Sequence, residues 1–416
     1  MMLSRQIAIA CAVCLTFAGA AAVPMTAPQS SITAQAADAE YKEVQDETGQ
    51  VTYRVYADHA EACRLADFNS ALPVTVLSAV EGVPVTAIAA NAFQNKGYEL
   101  QEITVPDSVT VIGEHAFEGT NIRSLMIPDS VTSIEPYAFA YCSELSELRL
   151  PKNLEKISNS SFMCCHRLRS VTIPDSVTVI EQYAFAGSPN LEDILIPDSV
   201  QSLRYNSFIG TKWIQNREDS DAFVTVNGIL IRGTADAEGK LTLPDGVTKI
   251  AEETFLNNET VTKVTVPESV SVIADEAFTQ CKNLKDITIL NPQCTIVSSE
   301  PGMTICNSAE PFDGTDGEVH WKPGFYGTIH GYAGSTAESY AKENGYSFKP
   351  LGTAKGDVNG DGSVDLKDVT YMRRALVGWE DTIIEAAADV NRDGSVDLKD
   401  LVILRRYLAG GWNIEL

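Results

Sequence analysis

Apolar residues recur along most of the chain in a single register. Between Leu168 and Leu191 they fall at Leu168, Val171, Ile173, Val177, Ile180, Ala184, Phe185 and Leu191, with polar residues between them. The prolines that mark this register are Pro106, Pro128, Pro151, Pro174, Pro197, Pro244 and Pro267, spaced by 22, 23, 23, 23, 47 and 23 residues. Phe93, Phe117, Phe139, Phe162, Phe185, Phe208, Phe255 and Phe278 run in step with them. A fixed period of this length predicts a solenoid, because one unit cannot bury its apolar face without stacked neighbours. Within a unit, Leu168, Val171 and Ile173 predict a short inward-facing strand. Pro174 ends it by removing a backbone donor, and Val177 to Phe185 return through a turn and a short helical or irregular stretch. The double-length gap contains Phe223 to Ile231, where Asn227-Gly228 between two apolar runs predicts a type I′ hairpin.

This pattern closely resembles the leucine-rich repeats of bacterial surface antigens, the BspA-like class, from roughly Pro73 to Leu290. The resemblance implies an α/β leucine-rich-repeat solenoid with a parallel β ladder. Residues 37–99 would form an N-terminal cap and first repeat, with about Tyr41 to Leu72 shielding that end. Residues 100–290 would form the solenoid, with a hairpin insertion near 210–240, and residues 291–350 its C-terminal cap. Gly327 to Tyr346 looks like the segment that closes such arrays; Ser335 to Asn344 reads as a capping helix, with Ser335 or Thr336 at the N-cap and Gly345 just past its end. The outward strand position carries Thr104, Met126, Arg149, Thr172, Leu195, Thr242, Thr265 and Thr288. No aromatic stands there for a sugar ring to stack on. A solvated, threonine-rich strand face is the plainer reading; a protein-recognition patch on Met126, Arg149 and Leu195 is the functional one.

The composition changes after a linker at 351–355. Asp357, Asn359, Asp361, Ser363 (through its carbonyl), Asp365 and Asp368 fit the ligand positions of a twelve-residue calcium loop, with Gly362 at the sharp turn. Asp389, Asn391, Asp393, Ser395, Asp397 and Asp400 repeat the pattern 32 residues later. Packed carboxylates repel unless a hard cation sits between them, so two Ca2+ ions are expected. Pro350, Gly352 and Gly356 exclude a helix before the first loop; helices are predicted after each loop, at Val369 to Val377 and Leu401 to Ala409. The 22-residue units 357–378 and 389–410 are identical at 15 positions. Such duplicated loop–helix halves look like a type I dockerin, covering 356–416. That resemblance implies a cohesin domain of a scaffoldin as partner, contacted through Leu366, Lys367, Arg373 and Arg374 and through Leu398, Lys399, Arg405 and Arg406. Spacing agrees, since Arg373-Arg374 lie one and a half helical turns beyond Leu366-Lys367. With the same four residues in each half, a rotation of about 180° would present nearly the same surface. Many family members carry Ser-Thr where this chain has Leu-Lys.

The formal charge of −25 sets the chain against nucleic-acid backbones and anionic membranes. Residues 1–36 read as a signal peptide: Arg5, an apolar stretch from Ile7 to Ala22, and a small-x-small site at Ala34-Gln35-Ala36. A secreted, extracellular protein attached to a cell-surface cellulosome follows as the expectation, with no membrane span. Seven cysteines remain outside that segment, an odd number that argues against a complete disulfide framework. Cys142, Cys165 and Cys281 each fall three residues after a marker phenylalanine and read as small buried residues; whether Cys294 and Cys306 pair is open. No catalytic, phosphate-loop or dinucleotide motif occurs. Three readings stand: a non-catalytic recognition or adhesion component on a cellulosome, a polysaccharide-degrading enzyme or enzyme inhibitor with its site in 291–326, and a cell-wall structural element.

Overall fold

The computed structural model describes residues 40–65, 73–97, 100–313, 319–352, 355–360, 363–379 and 383–409. The signal segment lies outside these residues. The chain divides into two compact units, Met1–Asp221 and Ala222–Leu416.

In the first unit an antiparallel meander of Lys42–Gln45, Val51–Val55 and Ala60–Leu65 leads into the solenoid. Its last strand pairs in parallel with Val83–Ile88, which is followed in the same sheet by Val111–Ile112 and Ser133–Ile134. A second row carries the outward strip: Ser124–Met126 pairs with Glu147–Arg149, and Ser170–Thr172 with Asp193–Leu195. Met126 stands opposite Arg149, and Thr172 opposite Leu195. The unit ends in the helix Lys212–Ser220, whose Thr211 cap accepts from the Ile214 N–H.

The core is a column of phenylalanines. Phe93, Phe117, Phe139, Phe162, Phe185 and Phe208 are fully buried, and successive rings stack with centroids 5.0–6.2 Å apart. Such pairs contribute about 0.5–1.5 kcal/mol each beyond area burial. From Phe93 to Phe185 the backbone N–H reaches the next coil: Phe117 donates to Ala138, Phe139 to Ser161 and Phe162 to Ala184, at 2.8–2.9 Å. This ladder fixes an unusual backbone. His115, Tyr137, Ser160, Tyr183, Glu253 and Glu276, each two residues before a marker, have φ between 54° and 59°. Left-handed backbone costs a side-chain-bearing residue about 1–3 kcal/mol and persists only where its surroundings enforce it. Here the next coil does so, accepting from the N–H of His115, Tyr137 and Ser160 through Pro136, Asn159 and Gln182.

The cysteines after the markers have a polar task as well as a packing one. Cys142 Sγ donates to the Phe117 carbonyl, Cys165 Sγ to Phe139 and Cys281 Sγ to Phe255, each one coil back. Burial pushes the Cys142 and Cys281 thiols up to about 12 and Cys165 well above its ordinary value. A thiol held protonated in this way is a weak nucleophile. The seven described cysteines carry no disulfide, Cys294 and Cys306 included.

The second unit opens with the hairpin Phe223–Val226 and Ile229–Gly233, turned by Asn227 and Gly228, both at positive φ. Ile229–Gly233 then starts a parallel row through Lys249–Ile250, Val272–Ile273 and Thr295–Ile296. The other row runs Lys240–Thr242, Lys263–Val266, Asp286–Ile289, Thr328–Gly331, Ser347–Pro350. The last two strands flank the helix Thr336–Glu343, so the segment expected to close the array also lengthens its ladder. Ser335 caps that helix, its Oγ accepting from the Glu338 N–H, and Gly345 follows at φ 68°. An antiparallel pair, Ser308–Asp313 with Val319–Gly324, occupies part of 291–326.

Candidate functional site

The C-terminal segment builds two similar halves. Each loop delivers a helix, Leu366–Leu376 and Leu398–Leu408, that starts three residues before the positions predicted from sequence. The reason lies in the loop acids. Asp365 accepts from the Lys367 N–H at 2.6 Å, while Asp368 accepts from the Asp365 N–H at 2.7 Å. Asp397 and Asp400 repeat both bonds at 2.6 and 2.9 Å. Each pair is a capping box, so two acids of the loop pattern also start the helix.

Asp357, Asp368 and Asp400 are buried. Asp368 and Asp400 also accept from the Asn359 and Asn391 N–H groups, which draws the start of each loop over its end. In the second loop Asp389 accepts from the N–H groups of Asp393 and Gly394, and Asp393 from Ser395. The Ser395 hydroxyl, foremost, holds the Asp393 carboxyl below its usual range. The Lys399 ammonium lies 3.4 Å from Asp393 and 3.3 Å from Asp397. Gly394, at φ 85°, makes the sharp turn. Asp361 and Gly362 lie outside the described residues, and among those described no three His, Cys, Asp or Glu side chains converge on a common point. The donor set is nonetheless all oxygen, carboxylate-rich and partly buried, the chemistry that suits a hard cation such as calcium.

Behind the loops the helices pack through Val369, Met372, Leu401 and Leu404, with Val358, Val364 and Ala388 completing the cluster. That pattern leaves the opposite faces outward. Leu366 and Leu398 are 73% and 69% exposed, and Lys367, Arg373, Arg374, Lys399, Arg405 and Arg406 are all exposed. The arginine pairs sit in the last turns, where cations favour the helix dipole. Each half therefore gathers its Leu-Lys and Arg-Arg on one outward helix.

On the solenoid, Met126 and Leu195 are 69% and 66% exposed. Arg149 differs: its guanidinium donates to Asp129 at 2.6 Å and to the Ile127 carbonyl at 3.2 Å. Asp129 sits one coil back, a pairing that spacing within one repeat does not reveal. Beside Leu195 lies an open depression lined by Thr172, Ile173, Asp175, Pro197 and Asp198.

Fold and site together define a leucine-rich-repeat solenoid joined to a duplicated loop–helix module. Residues 86–215 and 238–300 match the BspA type leucine rich repeat region in 6 copies, and residues 355–409 match the dockerin type I domain. The chain carries BspA-type repeats and a C-terminal type I dockerin. Similar solved structures include a leucine rich cell surface protein from Faecalibacterium prausnitzii A2-165, 21% identical, covering 65% of this chain and 98% of that one, with a TM-score of 0.40. Another is a leucine-rich repeat protein from Bacteroides ovatus ATCC 8483, 18% identical, covering 76% and 91%, with a TM-score of 0.32. No curated protein matches the chain. Both modules are non-catalytic kinds. A dockerin implies cohesin docking in a cellulosome-type assembly, and leucine-rich repeats suggest protein interaction. Type I dockerins bind calcium, and the two modules together suggest an extracellular or cell-surface protein. Among the described residues no helix is long and apolar enough to cross a membrane.

Proposed function

We propose that this chain is a secreted, non-catalytic adaptor that docks on a scaffoldin through calcium-dependent binding of its dockerin to a cohesin. The solenoid would then present Met126 and Leu195 to a protein ligand, with Arg149 shaping the patch from its place on Asp129. The observation that carries this reading is the duplicated loop–helix half, with acids turned into the loop and Leu-Lys and Arg-Arg turned outward. Asp357, Asn359, Asp361, Ser363, Asp365 and Asp368 would hold one Ca2+, and Asp389, Asn391, Asp393, Ser395, Asp397 and Asp400 the other. The bound ions would neutralise the loop carboxylates. The chain's own part is to cap and orient two helices whose basic faces meet an acidic partner. From Lys355 onward the sequence has 12 acidic and 8 basic residues, so two divalent ions would cancel that segment's formal charge.

Incubation of the purified chain with plant polysaccharides and with a panel of type I cohesins tests the proposal. Cohesin capture without released sugar is expected; sugar release by the chain alone would contradict a non-catalytic role.

A further inference from the structure

Two consecutive coil pairs of the first unit carry the same niche, one filled and one open. In the first pair Met126 stands opposite Arg149, and the Arg149 guanidinium folds back onto the preceding coil. It donates to the Asp129 carboxylate at 2.6 Å and to the Ile127 carbonyl at 3.2 Å. The Lys152 ammonium lies 3.5 Å from the same carboxylate. The Lys152 N–H, foremost, and the charges of Arg149 and Lys152 hold the Asp129 carboxyl below its usual range. The chain's own cations close this niche.

The same frame recurs 46 residues further on, two periods of 23. Thr172 stands opposite Leu195, and the Ile173 N–H donates to the Leu195 carbonyl at 2.9 Å, as the Ile127 N–H does to Arg149 at 3.2 Å. Asp175 takes the place of Asp129, and Ile173 that of Ile127. Both cations are gone: leucine replaces Arg149, and Asp198 replaces Lys152. What remains is the open depression lined by Thr172, Ile173, Asp175, Leu195, Pro197 and Asp198. Asp175 and Asp198 are exposed, and neither carboxylate has a hydrogen-bond or ion-pair partner among the described residues. Leu195, 66% exposed, supplies apolar surface beside them.

We propose that this depression takes an arginine side chain from a protein partner, set there as Arg149 is set on Asp129. The guanidinium would meet Asp175 and the Ile173 carbonyl, with Asp198 adding a second negative charge, and its stem would lie along Leu195. Arginine suits the niche better than lysine, because its planar fork serves a carboxylate and a carbonyl together while an ammonium is a single point. Like charges on neighbouring strands are unfavourable, so two unpaired carboxylates favour a cation between them. The partner is therefore a basic polypeptide segment whose arginine has apolar neighbours to cover Leu195. This inference rests on the reading of the solenoid strip as a protein-recognition surface and names the partner's chemistry.

The test pans the full chain against a display library of random peptides and titrates the retained peptides calorimetrically against parent and variants. Enrichment of arginine beside apolar residues is expected. Asp175→Asn with Asp198→Asn should weaken these peptides at least tenfold, and lysine in place of the peptide arginine at least threefold. Asp245→Asn, at the same repeat position in the second unit, should leave affinity within twofold of the parent. Leu195→Arg supplies the missing cation from the chain itself, so it should abolish binding and lower the Asp175 carboxyl pKa read by NMR. That last readout needs no peptide. An unmoved Asp175 titration in Leu195→Arg, or retained peptides without arginine, would overturn the inference. Peptides weakened by Met126→Ser with Leu195→Ser, but within twofold of the parent for Asp175→Asn with Asp198→Asn, would overturn it and leave protein recognition standing. Retention of no peptide, or only of peptides indifferent to Met126 and Leu195, would overturn the recognition reading and this inference with it.

Discussion

His115 shows how much a single position depends on the coil beside it. Its ring stacks on Tyr137 at 4.8 Å, and its Nδ1 bonds Glu118 at 2.7 Å. The Glu118 hydrogen bond, the largest influence, raises the imidazole pKa against the opposing effect of burial. Burial alone would raise the Glu118 carboxyl, but the bonds from His115 and Gln94 hold it below its ordinary value. A raised imidazole pKa stabilises the fold fully below the unfolded value of about 6.5 and is lost as pH rises through the folded value. The depressed carboxyl contributes above its own unfolded pKa and fades only in acid. Urea midpoints of the first unit's transition should therefore fall as pH rises from about 6.5 into the mildly alkaline range. His115→Gln should flatten that slope; an unchanged slope would show that another group sets it. Nothing in the local sequence announces this geometry. Proline and phenylalanine spacing made the coil legible because those residues bring their own constraints, a missing N–H and a large ring. Tyrosine, serine or histidine in left-handed backbone runs against local preference, and only the inter-coil hydrogen bonds select it.

At the scale of elements the loops and helices of the dockerin were legible in sequence, and their junction was not. Reading Asp365 and Asp368 only as cation ligands hides their second use as a capping box, and so places the helix start three residues late. The two uses separate by substitution, since asparagine caps a helix about as well as aspartate but brings no charge to a cation. In chelator, Asp365→Asn should keep the parent's helical circular dichroism, whereas Asp365→Ala should lose about 0.5–2 kcal/mol of helix stability. In calcium both should bind the metal more weakly than the parent. Equal helix loss from both substitutions in chelator would mean that Asp365 is not acting as a cap. The solenoid patch teaches the same lesson at longer range. The outward positions of Met126 and Leu195 followed from strand alternation, but Arg149's tie to Asp129 reaches one coil back and needed coordinates.

For the molecule as a whole, the repeats supply a long ladder with an exposed apolar pair, and the tail supplies two helices with basic outer faces. Neither module brings chemistry of its own; each brings a surface. The net charge of −25 is spread along the chain, while the dockerin faces hold their cations outward. Calcium-dependent docking of the duplicated tail on a cohesin is the central proposal. Calorimetry of the full chain against a type I cohesin, in calcium, in chelator and after calcium is restored, tests it most directly. Binding in calcium, its loss in chelator and its return are expected. No binding is expected when Lys367, Arg373, Arg374, Lys399, Arg405 and Arg406 are all changed to Ala. Binding of equal strength in chelator, or undiminished binding by that sixfold variant, would contradict it.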